Sequence, residues 1–183
     1  MIGGQNDQRR QMISRETNAV EPIDTPHGSL RTRPETAGDM PFLAALHASV
    51  KAAEFATLPT GEPIRQQLLD MQFRAMTMSY RAAFPNGRFE VITLDDVPIG
   101  QLITDSSPDR FHIVYIALLP EWRQRRIGTL LMTRILEVPR SRGTRCEATV
   151  VLDNVASQRL WSRLGLTERA QDSVNLILEW RPE

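Results

Sequence analysis

Cys146 is the sole cysteine of the chain, so no internal disulfide can staple it. No Cys/His pair stands at zinc-ligand spacing either, and a metal centre is not expected. Long apolar runs are also missing. No stretch approaches the ~20 residues needed to cross a bilayer, and Met1 to Arg15 lack the apolar centre of a signal peptide. Net charge is absent as well: 22 Lys and Arg balance 22 Asp and Glu, so no global field draws the protein to nucleic acid or to an anionic membrane. Any positive patch must be local. These absences point to the cytoplasm, and to partners other than nucleic acid or membrane. What is present is 183 residues, 41% of them hydrophobic, which suits one domain with spare chain at an end.

Residues 1–28 are polar, carry Pro22 and Pro26, and show no sustained apolar period, which predicts a flexible N-terminal arm ahead of a domain over 29–183. The alternative is an extra helix packed on a partner subunit in a homodimer, with Met12, Ile13 and Val20 as its contacts. Order is expected from Ser29, in a short strand ended by Pro34, with Asp39 as a helix cap. Leu43, Leu46 and Val50 fall on one helical face interrupted by His47, and Leu69, Phe73, Met76 and Tyr80 mark a second helix that stops at Pro85-Asn86-Gly87. Met71, Met76 and Met78 read as core filling rather than a cofactor box.

The period then changes. Phe89, Val91 and Thr93 alternate with their neighbours, Asp95-Asp96 turns the chain, and Val97 to Ile103 completes a hairpin. Phe111 to Leu119 reads as a central strand, followed by a helix near Gly128 to Val138 and a strand from Arg145 to Leu152. A helix from Val155 to Leu164, closed by Gly165, and a strand from Val174 to Trp180 complete a mixed α/β pattern.

The segment Ile116 to Leu131 carries the chemistry. A buried strand runs into an Arg-rich turn, then Gly128, then a helix start. A helix N-terminus presents unpaired N–H groups and a positive dipole end, so an anion there meets donors already aimed at it. Gly128 permits close approach, Arg123, Arg125 and Arg126 add charge, and a pyrophosphate would fit. Two other readings of the arginines are open: a solvated charged face, or, with Arg134, contacts to nucleic-acid phosphates. Neither the P-loop nor the Gly-x-Gly-x-x-Gly pattern is present.

Arg123-Gln124-Arg125-Arg126-Ile127-Gly128 resembles the acetyl-CoA motif of the GNAT superfamily of N-acetyltransferases, Arg/Gln-x-x-Gly-x-Gly/Ala. Leu118-Leu119-Pro120 is similar to that family's apolar lead-in, Asn154 to Leu166 to its Asn-x-x-Ala/Ser-x-x-Leu-Tyr-x-x-x-Gly-Phe segment, and Leu30 to Thr36 to its opening strand. The resemblance implies a mixed, mostly antiparallel central sheet flanked by helices, with splayed central strands forming the acyl-CoA cleft. It implies acetyl-CoA as co-substrate, with the pyrophosphate held by Arg123, Gln124, Arg125, Arg126, Ile127, Gly128 and Thr129. The pantetheine and acetyl carbonyl would lie against the backbone of Leu118 and Leu119, with Asn154, Ser157 and Trp161 alongside. Two positions depart from the family pattern. Arg126 replaces the motif's first glycine. Trp161 replaces the tyrosine that in many members protonates the thiolate, and an indole N–H is no proton source near neutral pH.

Transfer to nitrogen needs a neutral amine, and so a base that is free near pH 7. His112, on the predicted central strand, lies near where the family's histone-modifying members place a catalytic glutamate, and an imidazole suits the task. It reads equally as a half-buried strand histidine bonded to a neighbour. Tyr115 is the second candidate, with packing as its other role; Glu90 and Asp105 rank lower. Asn154 reads as a helix cap as readily as a pantetheine contact. The expectation is an N-acetyltransferase acting on an amine of a small molecule or peptide, with the acceptor unidentified. The alternative is a non-catalytic acyl-CoA sensor or scaffold of the same fold.

Overall fold

The computed structural model describes residues 21–182. Of the expected arm, residues 1–20 lie outside the described residues, as do Met12, Ile13 and Val20. Strand pairing begins earlier than the predicted Ser29: β1 (Ile23–Thr25) pairs antiparallel with β2 (Gly28–Pro34). Two helices follow, α1 (Met40–Ala56) and α2 (Glu62–Ala83). The hairpin β3 (Arg88–Leu94) and β4 (Val97–Ser106) leads to β5 (Arg110–Leu118), α3 (Ile127–Arg142), β6 (Arg145–Val151), α4 (Val155–Arg163), β7 (Thr167–Gln171) and β8 (Asn175–Trp180). The eight strands form one sheet in the order β1-β2-β3-β4-β5-β6-β8-β7, and β5–β6 is its parallel pair. This is the expected mixed, mostly antiparallel sheet.

Helices cover both faces. On one face, α3 and α4 bury Ile127, Leu131, Met132, Ile135, Leu136 and Trp161 against Ile92, Leu102, Phe111, Ile113 and Ala148. On the other, α1 and α2 pack Leu43 and Phe73 against Val91. The hairpin turn forms as read, with Asp95 and Asp96 both at positive φ (47° and 66°), the geometry of a two-residue turn whose twist matches its strands. Asp39 is not a conventional side-chain cap of α1. Its carboxylate takes the N–H of Thr36 at 2.7 Å and both terminal nitrogens of Arg33, which tie the entry to α1 onto β2.

Two expectations about burial are corrected, and one strand was not expected. Val50 is exposed, because α1 turns His47 rather than Val50 inward, where its ring bonds Gln72 at 3.1 Å. Met71 and Met78 are 62% and 72% exposed on the outer side of α2, while Met76 packs against the core. β7 did not register as a strand, since Thr167-Glu-Arg-Ala-Gln171 is exposed throughout and has no apolar face to alternate.

Candidate functional site

β5 and β6 pair only from Arg110↔Arg145 to Ile113↔Ala148. Beyond Ile113 the two strands separate: β6 continues along β8 through Val151, and β5 continues along β4 through Leu118. The sheet therefore opens between the C-terminal halves of its central strands. The N–H of Leu119 donates to the carbonyl of Ile99 at 2.9 Å, so it points toward β4. By the alternation of an extended chain, the amides of Ile116 and Leu118 point the other way, into the opening. Gly100 makes this edge: a Cβ there would stand 2.3 Å from the carbonyl oxygen of Ala117 and 2.7 Å from Leu118 Cδ2.

A bulge sets which side chains face the opening. The β4–β5 register slips between Thr104↔Ile113 and Ile103↔Tyr115, leaving Val114 as the extra residue. With strict alternation, His112 and Tyr115 would point to opposite faces. The bulge turns both toward α2, where Phe84 meets the His112 ring edge-on at 5.5 Å and Tyr80 meets Tyr115 at 6.0 Å. The same slip turns Ile116 and Leu118 inward against the α3/α4 core.

The His112 Nε2 lies 3.5 Å from the hydroxyl of Thr149, which is exposed on β6 just past the split. The Nδ1 is buried with no hydrogen-bond partner among the described residues. Burial, and secondarily the Arg110 guanidinium, push the imidazole pKa below its ordinary value, so the ring is neutral at pH 7. Burial pushes the Tyr115 phenol up to about 12, aided by Tyr80. Tyr115 thus stays protonated and can donate a hydrogen bond but cannot act as a base. Asp105, opposite His112 in register, takes Arg110 at 3.4 Å. Glu90 is buried beneath Arg88 and Thr32, beside Leu102 on the α3/α4 side of the sheet, away from His112. Cys146 is buried and its thiol is raised to about 12, which makes it inert as a nucleophile.

The Arg-rich turn lies on the α3/α4 side. Gln124 and Arg126 both adopt left-handed backbone (φ 60° and 63°), and Arg126 is the N-cap of α3 without a side-chain cap bond. Leu130 N–H returns to the Arg126 carbonyl at 2.9 Å, so the amides of Ile127, Gly128 and Thr129 precede the first intrahelical bond and have no helical acceptor. Gly128 stands where a Cβ would lie 3.7 Å from Leu118 Cδ1, placing these amides beside the opened strand. The arginines divide. Arg123 Nε donates to the Leu118 carbonyl at 2.8 Å, Arg125 stacks over Trp122 at 5.2 Å, and Arg134 pairs with Glu137 at 2.8 Å. Arg126 makes no ion pair among the described residues, and its charge sits at the helix start. Asn154 is a helix cap: its side chain accepts from Ser157 N–H at 3.0 Å. Trp161 is 2% exposed and packs in the core.

A family model for the acetyltransferase (GNAT) family matches residues 54–166. The chain belongs to the GNAT acetyltransferase family. Among solved structures, this GNAT protein is similar to the PaiA N-acetyltransferase from Thermoplasma acidophilum in complex with coenzyme A, with a TM-score of 0.63, 16% identity, and coverage of 84% of this chain and 99% of that one. It is also similar to RimJ from Mycobacterium smegmatis in complex with CoA-disulfide, with a TM-score of 0.62, 16% identity, and coverage of 89% and 87%. No curated protein sequence matches it. At such identities the structural likeness concerns the fold alone.

Among the described residues, no group of three or more His, Cys, Asp or Glu is arranged to hold a metal, and no helix is long and apolar enough to cross a membrane. Sequence reasoning passed over Tyr80, Phe84 and Thr149 as parts of this region. Tyr80 was legible only as a member of the inner stripe of α2, and the bulge that brings Tyr115 to it leaves no mark in composition.

Proposed function

We propose that this protein transfers the acetyl group of acetyl-CoA to the nitrogen of an amine. The observation that carries the reading is the continuity of three features across the sheet: uncapped amides at the start of α3, the opened edge of β5, and a neutral imidazole on the far side. The pyrophosphate of acetyl-CoA sits on the amides of Ile127, Gly128 and Thr129, with Arg123, Gln124, Arg125 and Arg126 forming the rest of the turn. The pantetheine arm extends the sheet along Leu118 and Leu119, beside Asn154 and Ser157 at the start of α4. The amides of Ile116 and Leu118 donate to the arm and to the thioester carbonyl, stabilising the oxyanion that develops there. Trp161 supports this wall from the core.

The amine enters from the α1/α2 side. Its nitrogen lone pair attacks the thioester carbonyl carbon, the C–S bond breaks, and the products are an N-acetyl amide and the CoA thiolate, which takes a proton from solvent water. His112 takes the amine proton at Nε2. The neutral ring then carries its own proton on Nδ1, which is buried without an acceptor, and the lowering of its pKa by burial and by the Arg110 guanidinium leaves a base that is free at neutral pH. The thiolate has an ordinary pKa near ~8.5 and is a tolerable leaving group, so Trp161 in place of a phenol does not preclude turnover.

His112→Ala is expected to lower kcat by about 10² to 10⁴ with the acetyl-CoA Kd unchanged. Full activity in that variant eliminates His112 as the base. The burial of Trp161 in the core favours a second reading, a non-catalytic acyl-CoA sensor, which predicts ligand-induced stabilisation with no thiol release over any amine.

A further inference from the structure

The face that His112 shares with α2 is sorted by charge. Glu35, Asp105, Glu147 and Glu179 lie on it, and each already carries a cation, Arg181 at 2.6 Å in the case of Glu179. Glu35 is held by Arg81 and by Gln101 Nε2 at 3.2 Å. Asp105 is held by Arg110 at 3.4 Å. Glu147, next to His112 in the β5–β6 register, faces Arg169 at 2.8 Å, Arg145 at 3.5 Å and Arg110 at 3.6 Å. A second ammonium group on an acceptor would need a free carboxylate, or would have to displace one of these guanidinium groups.

Between these satisfied pairs the surface at the split is aromatic. Tyr80 and Tyr115 pack at 6.0 Å with their planes tilted by 43°, and Phe84 stands edge-on to His112 at 5.5 Å. All four rings are half-buried, so each keeps an open edge or face. Such a surface favours a flat apolar body through stacking and edge contacts and offers little to a polycation.

We propose that the acceptor is a primary monoamine carried on an aromatic body, seated against Tyr80, Tyr115 and Phe84 with its nitrogen at His112. This rests on the N-acetyltransferase reading above and narrows it. Polyamines and aminoglycosides are excluded by the compensated carboxylates, and the ring cluster selects the body of the amine.

The test compares thiol release from acetyl-CoA with 2-phenylethylamine, spermidine and an aminoglycoside as acceptors. The expected kcat/KM for 2-phenylethylamine is about tenfold or more above the other two. Tyr80→Ala is expected to lower it about tenfold, mainly through KM, with the acetyl-CoA Kd unchanged, and Tyr80→Phe to retain it. Equal or better turnover of spermidine or the aminoglycoside overturns the proposal. Should no amine be acetylated, calorimetric titration of the same amines into the CoA-saturated protein still decides. Selective binding of 2-phenylethylamine that is lost in Tyr80→Ala supports the ring surface while counting against the transferase reading, and absent or indiscriminate binding overturns the proposed acceptor.

Discussion

Gly100→Ala puts one methyl group where β4 and β5 press together at the mouth of the opening. The new carbon would lie 2.3 Å from the Ala117 carbonyl oxygen and 2.7 Å from Leu118 Cδ2. Backbone cannot swing aside as a side chain can, so the strands must part by about 1 Å to restore contact distance. Overpacking of this kind costs ~1–3 kcal/mol, and loss of the neighbouring Leu119 to Ile99 hydrogen bond adds ~1 kcal/mol. A total of about 3 kcal/mol corresponds to a Tm drop of about 6–12 °C for a chain of this size. The displaced residue is Leu118, whose amide faces the cleft, so acetyl-CoA affinity falls along with stability. Gly128→Ala is the control: its methyl would stand at 3.7 Å from Leu118, an ordinary contact. Thermal denaturation and calorimetry of both variants check the argument. A Gly100→Ala protein that melts and binds like the parent would show that the close approach of β4 and β5 has no role in shaping the cleft.

Other outcomes follow from the same geometry. Because the amine and His112 must both be unprotonated, log kcat/KM should rise with slope two at acid pH and bend to slope one above the His112 pKa, which lies below its ordinary value; His112→Ala should show slope one throughout. Asn154→Ala removes a side-chain cap from α4 and should cost ~1 kcal/mol, read as a Tm drop of about 2–4 °C. The Arg33 guanidinium, with help from Thr36, holds the Asp39 carboxyl well below the usual carboxylate range. The stability it contributes is complete above the ordinary carboxylate pKa and is lost as pH falls toward the depressed value, so Asp39→Asn should flatten the loss of stability below about pH 4 in acid denaturation.

Much of the fold was legible because its signals are local. The Asp95-Asp96 turn, the helix-stopping Pro85-Asn86-Gly87 and the apolar run of β5 each advertise their structure within a few residues, and Gly165 at φ 89° closes the α4 turn as read. β7 escaped because its five residues carry no buried face, and β1 because three residues are too few to show a period. The Arg-rich turn was legible from its order of strand, arginines, glycine and helix. Its backbone was not: Arg126 stands at the motif's glycine position and adopts the left-handed conformation that a glycine there would take without strain. The face carrying His112 and Tyr115 was read as two isolated residues. Register is a pairwise property, and one unopposed residue, Val114, decides that His112 and Tyr115 share a side.

The central claim is that the amides at the start of α3 hold the pyrophosphate of acetyl-CoA, and Gly128→Glu tests it most directly. A carboxylate in the first turn suits the helix dipole and should leave Tm unchanged or slightly raised. Set about 4 Å from a bound phosphate, it opposes binding by about 4 kcal/mol at an effective dielectric near 20, a loss of ~1000-fold in affinity. Calorimetric titration of acetyl-CoA into the wild type and Gly128→Glu should therefore show one site in the first and none detectable in the second. Equal affinity in a folded variant would place the cofactor elsewhere and contradict the account.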